Sequence, residues 1–142
     1  MTEVLFYTHV ENKLQTACQL AGKAMARKMR VLILTPQAET TDRLSRMLWS
    51  APSTGFVPHC RTADRLAAVT PVIVDHVTDP LAHEDVLINL CDEMPSCFSR
   101  FHRLIEIVGL DDDDRAKARE RFRFYRDRGY DIRTHKLGEA QT

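Results

Sequence analysis

The residues in this sequence whose type and spacing best suit chemistry are arginines. From Asp111 to Tyr130 the chain reads DDDDRAKARERFRFYRDRGY, and between Arg115 and Arg128 seven basic residues stand against two acidic ones. At about 100° per residue, Arg115, Arg119, Phe122 and Arg126 fall within one narrow wedge of a helix, with Ala118 and Tyr125 just beside it. A row of guanidinium forks bordering an apolar seam suits an acidic peptide with an apolar tip. The same pattern equally fits a solvated helix face whose arginines pair with nearby carboxylates. Nucleic acid is a third reading, since arginine and aromatic side chains also hold phosphates and bases. Against it stand the adjoining run Asp111 to Asp114, which repels phosphate, and a formal net charge of zero from 20 basic and 20 acidic residues.

Enzyme chemistry finds little support. The histidines His9, His59, His76, His83, His102 and His135 fall in no metal-binding frame, and no G-x-S-x-G elbow is present. Asp75, His76 and Asp79 follow a strand-like run, where α/β sheets place active sites, and form the candidate acid/base cluster of an alternative reading as a small nucleotide- or metal-dependent enzyme. Turn residues after a strand have the same composition. Cys18, Cys60, Cys91 and Cys97 contain no C-x-x-C pair, so His59, Cys60, Cys91 and Cys97 make a poor metal set, and no metal or cofactor is expected.

The elements that must position these residues follow from hydrophobic periodicity. A length of 142 residues, 44% hydrophobic and 28% charged, fits one soluble domain over 1–142 with an unstapled core. The N-terminus, with Glu3 and only a short apolar stretch, is wrong for a secretory signal, which predicts a cytoplasmic protein. Val4 to Tyr7 and Val31 to Leu34 read as buried strands, separated by a helix capped by Asn12 that buries Leu14, Cys18, Ala21 and Met25. Leu44, Met47 and Leu48 define a second helix ending before Pro52. Arg61 to Val69 should run over the surface before a third strand at Val72 to Val74. Val86 to Leu90 and Leu104 to Val108 are further predicted strands, joined by a short helical piece around Ser96 to His102. The helix from Asp111 ends at Gly129, and Tyr130 to His135 forms the last strand. This alternation predicts a three-layer α/β fold, a mostly parallel sheet flanked by helices. It is Rossmann-like without the nucleotide fingerprint, because Thr8-His9-Val10-Glu11-Asn12 after the first strand has no glycine and Gly22-Lys23 lies inside a helix. Trp49 sits off the apolar stripe of its helix, which leaves it either packed under the Phe56 loop or facing a partner.

Taken together, the strands Val4 to Tyr7 and Arg30 to Ile33, the pair L-W-x-x-P and F-V-P-H at Leu48 to Pro52 and Phe56 to His59, and A-R-E-R-F-x-x-Y-R from Ala118 to Arg126 with the following Gly129 resemble the chi subunit of the bacterial DNA polymerase III clamp-loader complex. The resemblance implies a non-catalytic adaptor, monomeric before assembly. Such an adaptor links the replicase to the acidic C-terminal tail of the single-stranded DNA-binding protein, and itself touches neither nucleic acid nor membrane. It puts the tail site at Arg115, Arg119 and Phe122, with Val108 lining the apolar seam and Arg126 as a neighbour. A second surface, for the psi subunit or a helicase-like partner, maps to Trp49, Phe56, Val57, Pro58 and His59. Arg115 stands where the family is familiar with lysine and Phe122 where it has tyrosine, changes that keep charge and aromatic surface. The connection from Cys60 to Thr70 is short and lacks the usual Gly/Pro-rich character.

Overall fold

A computed structural model describes residues 1–50, 58–78 and 83–137. Among the described residues seven strands, β1 (Glu3–Val10), β2 (Val31–Leu34), β3 (His59–Cys60), β4 (Val72–Asp75), β5 (Val86–Asn89), β6 (Arg103–Gly109) and β7 (Ile132–Lys136), form one sheet in the order β3-β4-β2-β5-β6-β1-β7. Every pairing is parallel. The helices of the described residues are α1 (Lys13–Ala26), α2 (Ala38–Ser50) and α3 (Asp112–Asp127), with 3-10 turns at Ala67–Val69 and Phe98–Arg100. The β3 pairing was not foreseen, because two residues carry no periodicity; the strand expected third in the chain is therefore β4.

The central strands β2, β4 and β5 are buried at every position, as parallel strands covered on both faces must be. Alternate residues feed two cores. Leu5, Val31, Ile33, Val72, Val74, Val86, Ile88, Ile105 and Ile107 pack with Ala17, Cys18 and Ala21 of α1 and Leu44 and Leu48 of α2. Val4, Phe6, Leu32, Ile73, Leu87, Leu104 and Val108 face the other way, toward Phe98, Phe101 and α3. The buried stripe of α1 is centred on Ala17, Cys18, Ala21 and Ala24, with the predicted Leu14 and Met25 at its margins. Its first turn is closed by Asn12, whose side chain accepts from Gln15 N–H at 3.1 Å.

α3 packs Ala118, Phe122, Phe124 and Tyr125 against the apolar core, and its fully buried residues also include one charge, Arg121. In β6, the row Leu104, Glu106, Val108 points at α3, and period-2 alternation therefore puts a carboxylate under the helix. Glu106 is 0% exposed. Arg121 Nε donates to its Oε1 at 3.1 Å, Tyr125 Oη donates to its Oε2 at 2.6 Å, and Asn89 Nδ2 donates to both oxygens at 2.9 and 3.1 Å. Arg121 Nη1 donates in turn to the Asp92 carbonyl at 2.6 Å. Arg121 and Tyr125 are four residues apart, one helical turn, so both descend onto the same acceptor. Burial pushes the Glu106 carboxyl above its ordinary value, and Arg121, Tyr125 and Asn89 pull it back only in part. Burial, and the facing Glu106, also raise the Tyr125 phenol, which keeps it a donor. Arg121, one of the seven basic residues between Arg115 and Arg128, belongs to the core.

The helix ends are fixed by local chemistry. Asp111 caps α3 by accepting from Asp114 N–H at 3.2 Å, and Asp114 accepts from Gly109 N–H at 2.7 Å while pairing with Lys13 of α1 at 3.2 Å. Gly129, at φ 80°, takes the left-handed position after the helix.

Removing one donor from a buried carboxylate leaves it partly unsatisfied, so Tyr125→Phe should destabilise the chain by about 2 kcal/mol, a hydrogen bond to a charged group. The check is a lowered urea midpoint at unchanged m-value.

Candidate functional site

A hollow of about 260 Å³ opens on the α3 side of the sheet, toward the carboxyl ends of the strands. Because α3 starts immediately after β6, its first two turns lie over these strand ends, the usual place for binding in a parallel sheet. Phe6 and Thr8 of β1, Val108 of β6 and Thr134 of β7 line the sheet side, Phe6 standing opposite Thr134 in register. Ala118 and Phe122 line the helix side, and the Phe122 ring lies 5.4 Å from that of Phe6. Arg115 and Arg119 complete the lining from the exposed part of α3.

The electrostatics separate these two arginines. Arg115 faces Asp112 at 3.8 Å, a loose surface pair that contributes little. Arg119 has neither a hydrogen bond nor an ion pair among the described residues. Asp113 and Asp114 are engaged with Lys117 and Lys13, at 3.1 and 3.2 Å, so the acidic run does not neutralise Arg119. The result is an apolar slot with an uncompensated guanidinium, a geometry that accepts a carboxylate beside an apolar side chain.

Four of the residues named from sequence, Val108, Arg115, Arg119 and Phe122, thus meet in one hollow. Arg126 does not line it and pairs with Asp127 at 3.2 Å. Phe6, Thr8, His9 and Thr134 went unnoticed, because a linear wedge on one helix carries no information about the strands beneath it.

The second predicted surface lies at the opposite edge of the sheet. Trp49 is 68% exposed and stands edge-on to His59, ring centroids 6.4 Å apart. His59 Nε2 meets Ser45 Oγ at 2.9 Å, tying β3 to α2, and Pro58 beside it is exposed. Phe56 and Val57 lie outside the described residues, as does the loop under which Trp49 was expected as one option.

The residues considered for catalysis are engaged otherwise. Asp75, at the carboxyl end of β4, accepts from Thr62 N–H at 2.9 Å and His76 N–H at 2.8 Å and pairs with Arg61 at 3.3 Å. Asp79 lies outside the described residues. Burial raises the Asp75 carboxyl, but the Thr62, Arg61 and His76 hydrogen bonds outweigh it and leave the group below its ordinary value. Such a carboxylate ties the segment after β3 to β4. Burial pushes the Cys18 and Cys91 thiols up to about 11, the latter helped by Glu106 and Asp92, so both stay protonated at neutral pH. Among the described residues no group of three or more His, Cys, Asp or Glu is placed to hold a metal, and no helix is long and apolar enough to cross a membrane.

A depressed folded-state value means that Asp75 contributes stability above its unfolded value of about 3.9, lost as pH falls through the folded value. Asp75→Asn should therefore lower stability at pH 7, with the difference from the parent chain shrinking as pH falls through the folded value, as read by urea unfolding across an acid pH series.

Comparison with known proteins identifies a family. The family model described as DNA polymerase III chi subunit, HolC, matches residues 1–133. A Pseudomonas aeruginosa protein named DNA polymerase III subunit chi is 36% identical over 141 residues, 96% of this chain and 98% of its own length. Proteins of the same name from Haemophilus influenzae and Escherichia coli are 30% and 28% identical, covering 94% and 84% of this chain and 96% and 82% of their own. With the family pattern running from residue 1, ahead of β1, to the second residue of β7, the chain belongs to the DNA polymerase III chi subunit family.

Proposed function

We propose that this chain is a non-catalytic accessory subunit of the DNA polymerase III holoenzyme that grips the acidic C-terminal tail of the single-stranded DNA-binding protein in the groove under α3. The observation that carries the reading is the unpartnered guanidinium of Arg119 beside the apolar slot formed by Phe6, Val108, Ala118 and Phe122. In this reading the apolar end of the tail enters the slot, and its carboxylates meet Arg119 and Arg115. Arg126, one turn beyond Phe122 on the same side of α3, is exposed and meets acidic residues further up the tail.

The Trp49, Pro58 and His59 edge, together with Phe56 and Val57, serves as the contact for the psi subunit or a helicase-like partner. Support for a separate surface comes from its position at β3, the first strand of the sheet order, whereas the groove is lined by β6, β1 and β7 at the other end. The protein so placed acts in the cytoplasm, without a cofactor and without binding DNA itself.

Arg119→Ala should weaken binding of an acidic peptide with an apolar C-terminal residue by about 2 kcal/mol, roughly thirtyfold, as truncation of an interface anchor does. Binding to the parent chain should also weaken with added salt. Trp49→Ala should leave that affinity unchanged. Calorimetry on the three proteins checks all of this, and equal affinity of parent and Arg119→Ala would remove the groove as the tail site.

A further inference from the structure

Among the described residues two that are not glycine hold positive φ, His9 at 59° and Lys28 at 61°. Lys28 is accounted for by the end of α1, where Lys28 N–H donates to the Met25 carbonyl and Met29 N–H to the Ala24 carbonyl. His9 ends no helix. It sits inside β1, in a conformation that costs an L-residue free energy and that tends to persist where function requires it.

The consequence of that conformation is geometric. Along β1, Leu5 packs toward α1, while Val4 and Phe6 face α3. Strict alternation would send His9 toward α1 with Leu5 and Tyr7. Instead the pairing with β6 advances from Tyr7↔Ile107 to Val10↔Gly109, three residues on one strand against two on the other. The extra residue swaps the phase, so Val10 joins the α1-side core and His9 lines the groove together with Thr8. Bulges beside binding sites re-aim side chains in this way.

The His9 ring is half-buried, and its Nδ1 lies 3.1 Å from Thr8 Oγ1. The contact fits the tautomer in which the Thr8 hydroxyl donates to Nδ1 and the hydrogen sits on Nε2, and Nε2 has no partner among the described residues. His9 also borders a second, polar hollow lined by Glu11, Asn12 and Gln15, so it marks the limit of the apolar groove on that side.

We propose that His9 is a specificity-determining residue of the groove, its imidazole donating a hydrogen bond to a carboxylate of the bound acidic peptide. The inference rests on the tail-binding reading and adds to the donors Arg115, Arg119 and Arg126 one contributed by the sheet and not by α3.

His9→Gly separates this role from a structural one, because glycine adopts φ 59° without strain and keeps the bulge while deleting the ring. The probe is a synthetic acidic peptide with a free C-terminal phenylalanine, titrated calorimetrically into the parent chain, His9→Gly and Arg119→Ala, with urea unfolding of each. The expected result is an affinity about fivefold weaker for His9→Gly, with its unfolding midpoint unchanged or higher. Affinity within twofold of the parent, or a loss accompanied by a lowered midpoint, would overturn the proposal while a weakened Arg119→Ala left the tail-binding reading standing. Absence of binding by the parent chain would overturn both.

Discussion

The interaction on which the site depends is the buried contact of Glu106 with Arg121 and Tyr125. Taking a carboxylate and a guanidinium out of water costs several kcal/mol per ion, and only close, well-directed hydrogen bonds recover it. Here β6 supplies the acceptor and α3 supplies two of the donors one turn apart, so the recovery exists for a single rotation and a single height of the helix on the sheet. Sliding α3 by one turn would exchange Arg121 for a neighbour and strand a buried charge. With the helix held in that register, Arg115, Arg119 and Phe122 come to lie over Phe6 and Val108. The aromatic cluster of Phe98 against Tyr125 and Tyr130, at 5.1 and 5.2 Å, adds apolar contact but no comparable directionality.

The groove that results combines two kinds of selectivity. Apolar lining rewards one side chain of the right shape and is insensitive to salt, whereas the exposed guanidinium of Arg119 and the weakly paired Arg115 reward charge and are screened. In the proposed reading a ligand needs both features at once.

Much of the fold was legible in the sequence because fully covered parallel strands are short apolar runs; Val31 to Leu34 coincides with β2 to the residue, and Asn12, Asp111 and Gly129 mark the helix ends by local chemistry alone. β3 was not legible, since two residues held by one neighbouring strand leave no pattern. Glu106 is legible as a lone carboxylate in an otherwise aliphatic run, RLIEIVG, but the run alone does not say which donors face it. Half of the groove could not be read at all: Phe6 and Thr134 lie 128 positions apart and meet only through parallel pairing of β1 with β7. His9 needed the backbone itself, because nothing in the letters T-H-V-E announces a bulge.

The central claim is that a rigidly docked α3 and the strand ends beneath it form one binding groove, separate from the Trp49 edge. Amide proton–nitrogen shift mapping during titration with an acidic, phenylalanine-ended peptide tests it most directly. The account predicts shifts confined to Phe6 to Val10, Val108, Arg115 to Phe122 and Thr134, with Ser45, Trp49 and His59 unmoved. Shifts centred on the Trp49 and His59 edge, or spread along α3 without the strand residues, would contradict it.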